Sequence, residues 1–83
     1  MSAVDFSSVA PPGVLGIVLD THDKCAIVHS VKEESPLHGK IFKGDLIKAV
    51  DGKDTTGMSS TKVSKLMAAK RKYQRTITVV GLN

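Results

Sequence analysis

Apolar residues fall in short β-branched runs divided by turn residues, and only one segment carries helical spacing. Val4 to Val9 alternates weakly and predicts a first strand. Pro11-Pro12-Gly13 then imposes an irregular turn, because proline fixes φ and lacks an N–H while glycine tolerates φ > 0. Val14 to Thr21 reads as a second strand with one interrupting glycine. Asp20 to Lys24 reads as a hairpin connection into a strong strand at Cys25 to Val31. Ser35-Pro36 predicts a short helical turn with proline at its first position. Leu46 to Val50 is a further strand, closed by the tight-turn pair Asp51-Gly52.

The one clear helix follows. Ser59 or Ser60 can cap it, and Val63, Leu66 and Met67 fall on one face opposite Lys62, Lys65 and Arg71. Thr76 to Leu82 predicts a closing strand, with Ile77, Val79 and Gly81 on one face. Strands with one late amphipathic helix indicate a small α+β domain, a curled sheet capped by that helix.

Length and composition agree with this picture. The 83 residues suit one domain spanning 1–83, and 41% hydrophobic with 24% charged residues is ordinary for a globular chain. The longest apolar stretch, Gly13 to Leu19, is too short to cross a bilayer, and Met1 to Asp5 has no signal-peptide character. One cysteine, Cys25, permits neither an internal disulfide nor a multi-cysteine metal site, and suits a reducing compartment such as the cytoplasm.

Charge is unevenly placed. Residues 1–54 carry six Lys/Arg and all eight acids, whereas residues 55–83 carry six Lys/Arg and no acid. That second stretch reads as a solvated helix face with positive charge at the helix end, or as a contact for an anionic partner.

Four local motifs in order carry a family resemblance. Val14-Leu15-Gly16-Ile17 resembles the Gly-Leu-Gly-Phe carboxylate-binding loop of PDZ domains. Ala26-Ile27-Val28 with Glu34-Ser35-Pro36-Leu37 resembles their third strand and its following turn. Lys43-Gly44-Asp45 through Val50-Asp51-Gly52 resembles their Gly-Asp-x-Ile-x-x-Val-Asn-Gly segment. Met58-Ser59-Ser60 and the amphipathic helix complete the set, over about residues 13 to 81. With the loop motif near the N-terminus, the order is that of eukaryotic scaffold proteins rather than the permuted order of protease-associated forms.

The resemblance implies a partly open barrel or sandwich of five to six strands, capped by one main and one short helix. It implies a scaffold or adaptor module that takes C-terminal peptides by strand addition. The terminal carboxylate would meet the amides of Leu15, Gly16 and Ile17, and the peptide would run antiparallel to Ile17-Val18-Leu19. Leu15, Ile17 and Met67 would line the pocket for the last side chain, although the same apolar spacing also fits core residues. Ser60 stands where many members carry a histidine that reads a Ser or Thr, so discrimination at that position should be slight. Ser64, one turn on, leaves room for a bulky residue. One apolar anchor and a few charge-assisted hydrogen bonds, set against ordering costs, predict roughly −7 to −8 kcal/mol, on the order of micromolar affinity.

Other function classes find little support. Cys25 and His29 share a strand face but lie roughly 13 Å apart, too far for a thiolate–imidazole pair. Ser59-Ser60 lacks a neighbouring base and no nucleophile elbow occurs, so neither an enzyme nor a bound cofactor or metal is expected. Asp45 and Asp51 read as turn residues. The basic run with its single aromatic, Tyr73, matches no nucleic-acid motif. The competing partner is an anionic membrane surface, met by Lys62, Lys65, Lys70, Arg71, Lys72 and Arg75. A regulatory domain of a larger enzyme is the other alternative. The chain alone is expected to be a cytoplasmic monomer.

Overall fold

The computed structural model of the protein describes residues 4–81. Strands β1 (Val4–Ala10), β2 (Ile17–His22), β3 (Cys25–Val31), β4 (Leu46–Val50) and β5 (Lys53–Asp54) precede helix α1 (Ser60–Ala69) and strand β6 (Arg75–Gly81). They form one antiparallel sheet in the order β1-β6-β4-β3-β2, with β5 paired to β4. The sheet does not close into a barrel, so among the described residues β2 keeps one edge without a strand partner.

Local chemistry accounts for the elements. Asp23 and Lys24 both adopt positive φ, the geometry of a two-residue turn whose twist matches the strands it joins, β2 and β3. Asp51 (φ 52°) and Gly52 (φ 78°) do the same between β4 and β5. Asp45 accepts from the Phe42 amide at 2.9 Å, a turn role as its sequence context predicts. β5 is only two residues long and charged, and carries no periodic signal. The helical turn expected at Ser35-Pro36 is instead a set of turns, with His38 N–H donating to Ser35 and Ile41 N–H to Leu37. The closing strand starts one residue earlier than expected, at Arg75, and Leu82 lies outside the described residues.

The inward faces of β3, β4 and β6 supply Ala26, Val28, Ile47, Val50, Ile77 and Val79, all buried. Val63 and Met67 of α1 pack on them, with Leu37 and Ile41 filling from the long β3–β4 connection. Burying each such side chain contributes roughly 1.5–3 kcal/mol, the main favourable term in so small a chain.

One acid fastens the last strand. Asp51 accepts from the Thr76 amide at 2.7 Å and from Lys70 at 3.1 Å. These two, the Thr76 amide first, hold its carboxyl below the usual carboxylate range. The stability tied to a depressed carboxylate is complete above its unfolded value, near ~4, and is lost as pH falls through the folded value. Asp51→Asn keeps an acceptor for Thr76 and tolerates φ > 0, but gives up the charge. Acidification from about pH 5 to pH 2 should therefore lower the melting point less in this variant than in the unaltered chain. Parallel melting profiles across that range would remove Asp51 from the acid response.

Candidate functional site

Between the free edge of β2 and helix α1 runs a groove with a cavity at each part of its length. At the β2 entrance a cavity of about 230 Å³ lies under the Gly13–Ile17 loop and faces Ser64, Met67, Ala68, Arg71 and Arg75. Further along β2 an open depression of about 430 Å³ is lined by Leu19, Ser60, Thr61, Ser64, Lys65 and Ala68. Ser64 and Ala68 touch both, so the two cavities form one track.

Loop backbone orientation follows from what holds its carbonyls. In a trans peptide the C=O and the next N–H point in opposite directions. The buried Ser35 hydroxyl donates to the Leu15 carbonyl, which turns the Gly16 N–H the other way. Lys32 N–H donates to the Gly16 carbonyl at 2.9 Å, which does the same for the Ile17 N–H. Among the described residues, the Leu15 and Gly16 amides donate to no acceptor. Successive amides turned to one side form a small anion-binding concavity.

Gly16 has φ 66°, the left-handed region where glycine carries no penalty. A Cβ there would lie 3.3 Å from Ser35 Cβ and 3.5 Å from Ser35 Cα. The space that its missing side chain saves is thus against Ser35.

Arg75 is the residue that sequence reasoning misplaced. Assigned to a basic surface, it is only 2% exposed. Its guanidinium donates to the carbonyls of Met67 (3.0 Å), Pro11 (3.0 Å) and Gly13 (2.6 Å). The loop at residues 11–13, distant in the chain, brings carbonyls, Pro11 having no N–H of its own, and a helix C-terminus leaves carbonyls over. Arginine's planar fork answers all three at once. Burial lowers its pKa, with Asp51 partly opposing, but a guanidinium stays charged. A buried positive charge therefore sits directly beneath the loop.

The remaining basic residues also part company. Lys70 is tied to Asp51 at 3.1 Å, Arg71 lines the loop cavity, and Lys65 lines the second depression. Lys62 and Lys72 are exposed. Among the described residues, no acid lines either cavity.

Of the residues singled out by sequence, Leu15, Gly16, Ile17, Ser64 and Met67 meet at the loop cavity, and Leu19, Ser60 and Ser64 at the second. Val18 lines neither, and its side chain is exposed. Ser59 is the helix cap, its hydroxyl accepting from Lys62 N–H. Ser60 is engaged by Thr21 instead. Thr21 Oγ1 accepts from the Ser60 N–H at 2.8 Å and donates to Ser60 Oγ at 2.9 Å, joining β2 to α1 at the far end of the groove. Arg71 could have been found from the helix spacing, since it continues the stripe Ser60, Ser64, Met67 and Ala68. Arg75 carried no such signal.

Residues 13–80 match a family model described as the PDZ domain. The chain belongs to the PDZ domain family. A PDZ domain from choanoflagellate GIPC, bound to a GAIP peptide, superposes with a TM-score of 0.83 at 16% identity, covering 96% of this chain and 92% of that one. The choanoflagellate SHANK1 PDZ domain bound to a GIRK3 peptide gives 0.85 at 16% identity, over 100% and 98% of the two chains. The RIM1alpha PDZ domain in complex with an ELKS1b C-terminal peptide gives 0.77 at 16% identity, over 95% and 89%. At this identity the likeness is one of fold. A search of curated protein sequences finds no match. Among the described residues no helix is long and apolar enough to cross a membrane, and no three His, Cys, Asp or Glu side chains cluster as metal ligands.

Proposed function

We propose that this PDZ domain is a non-catalytic adaptor that captures the free C-terminus of partner proteins in the β2–α1 groove. The observation that carries the reading is the unpaired edge of β2 beside loop amides that lack acceptors, with both cavities in line along that edge. Related PDZ domains of the same fold have been solved with peptides, one of them described as C-terminal. Family membership supports a binding module rather than an enzyme.

The mechanism is strand addition. A terminal carboxylate accepts from the amides of Leu15, Gly16 and Ile17, within the field of Arg75 below and Arg71 beside it. The last side chain enters the cavity between Leu15, Ile17 and Met67, where an aliphatic group gains roughly 1.5–3 kcal/mol. Upstream residues pair with the β2 backbone, which gives affinity with little selectivity. Two residues back, some 6.6–6.8 Å along an extended chain, the next inward side chain reaches Leu19, Ser60 and Ser64. Beyond it the Thr21–Ser60 pair draws β2 against α1, so contact centres on the last few ligand residues.

The test compares free-acid and amidated forms of one peptide ending in an aliphatic residue, by calorimetry. Amidation should weaken binding by about 1.5–3 kcal/mol or more, the contribution of one charge-assisted hydrogen bond. Equal affinities would overturn carboxylate capture.

A further inference from the structure

Strand β1 is the second free edge of the sheet, at the opposite end of the strand order from β2. Its register with β6 runs unbroken from Val4 to Ala10, roughly 23 Å of strand. Among the described residues, no main-chain hydrogen bond outside that pairing reaches it. Proteins ordinarily protect such an edge with lysine, proline or a bulge. β1 has none of these. Its single charge, Asp5, is already paired with Lys48 at 2.6 Å.

Large apolar side chains flank the edge on both faces. Phe6 pairs with the buried Val79 and so lies on the inner face, whereas Val9, three positions on, lies on the outer one. Phe6 and Phe42 together line a cavity of about 330 Å³ with Gly39, Lys40, Asp45 and Gly81. Phe6, Val9 and Phe42 are each about half exposed.

A second copy of this chain fits that edge. Rotation about an axis normal to the sheet lays one β1 antiparallel to the other and keeps inner face with inner face. The register that pairs the whole strand is then centred on Ser7. Asp5 meets Val9 of the second copy, so no like charges face each other. The two Phe6 residues become diagonal neighbours beside the axis, roughly 7–8 Å apart at Cα, a reach that aromatic rings cover. The β2 edge is a poorer match for β1, because its own pairing is bulged at Val18-Leu19 and head-to-tail addition leaves open chains. We infer that the protein self-associates through β1 as a two-fold dimer, rather than the monomer expected from its sequence. One sheet then runs through both copies, and the two β2–α1 grooves lie open at its far edges. A partner with two linked tails gains avidity from such a pair.

Sedimentation equilibrium from about 1 μM to about 1 mM chain tests this, a span that covers weak association. The apparent mass of the unaltered chain should rise from 8.8 kDa toward twice that value. Ser7→Lys and Ser7→Glu each set two like charges opposite one another at the axis, and each alone should stay at the monomer mass. Ser7 is exposed, so both variants keep the fold, which thermal melts check. Mixed in equal amounts they should dimerise again, because opposite charges now face each other. An unaltered chain that remains monomeric at the highest concentration overturns the inference. So does a dimer that persists in each variant alone, or a mixture that stays monomeric. Species larger than a dimer that a free C-terminal peptide dissolves would put β1 on the β2 edge of the next copy, and would overturn it too. Peptide affinity should be equal in the unaltered chain and Ser7→Lys, so failure of the dimer and failure of capture are read separately.

Discussion

Arg75→Met should lower stability by about 2–4 kcal/mol, because the buried Met67 carbonyl and the part-buried Pro11 and Gly13 carbonyls all lose their donor. For a chain of this size that corresponds to a melting point lower by about 10–20 °C. Removing a buried charge offsets part of the loss, since its desolvation cost disappears as well. Arg75→Lys separates the two effects. Lysine restores the charge but not the planar fork, and one ammonium cannot meet carbonyls from Pro11, Gly13 and Met67 together in the same geometry. It should recover only part of the stability. Measured below its melting point, Arg75→Met should also bind free-acid peptides less well, because the loop over residues 11–13 loses its anchor to the helix end. Thermal melts of both variants indistinguishable from the unaltered chain would show that the clamp holds nothing.

Much of the fold was legible because it rests on short-range pattern. β3 and β4 combine β-branched content with turn residues at their ends, and the structure places them at the predicted bounds. Helix α1 was legible from Val63 and Met67, its buried face, and from a serine cap. The turn at Asp51-Gly52 was legible because few residue pairs accept two positive φ values.

The misreadings share a physical cause: long-range hydrogen bonds overrode local propensity. Val14 to Gly16 has the composition of a strand, yet it is a loop, with Gly13 and Gly16 at positive φ on either side and β2 beginning at Ile17. Ser35-Pro36 has the form of a helix start, but the Ser35 side chain is occupied by Leu15 O and the Leu37 amide. Arg75 stands at the head of a strand, where a charged residue is ordinarily exposed. Only the arrival of the Pro11 and Gly13 carbonyls and a helix end from elsewhere in the chain makes it internal. Most of the residues that line the two cavities could be singled out by type, whereas the Thr21–Ser60 bond, which joins positions 39 apart, could not.

Gly16→Val should be the most damaging substitution in the loop, and it should act through the fold before it acts on the ligand. Holding a β-branched residue near φ 66° costs about 1–3 kcal/mol in backbone strain alone. Its Cβ would press on Ser35 at 3.3 Å, and crowding of this kind adds about 1–3 kcal/mol. Ser35 cannot easily yield, because it is buried and its hydroxyl holds the Leu15 carbonyl. If it moves, the Leu15–Gly16 peptide plane turns and the Gly16 amide leaves the groove, so carboxylate binding goes with it. A graded series distinguishes this account from simple blockage of the ligand. Gly16→Asn, which tolerates the left-handed region, should lose less stability than Gly16→Ala per unit of side-chain bulk, and Gly16→Val should lose the most. Peptide affinity should follow the same order as the melting points. A Gly16→Val chain that melts like the unaltered one but no longer binds would mean that the side chain stands in the ligand's path after all. One that both melts and binds normally would mean the loop amides take no part in the site.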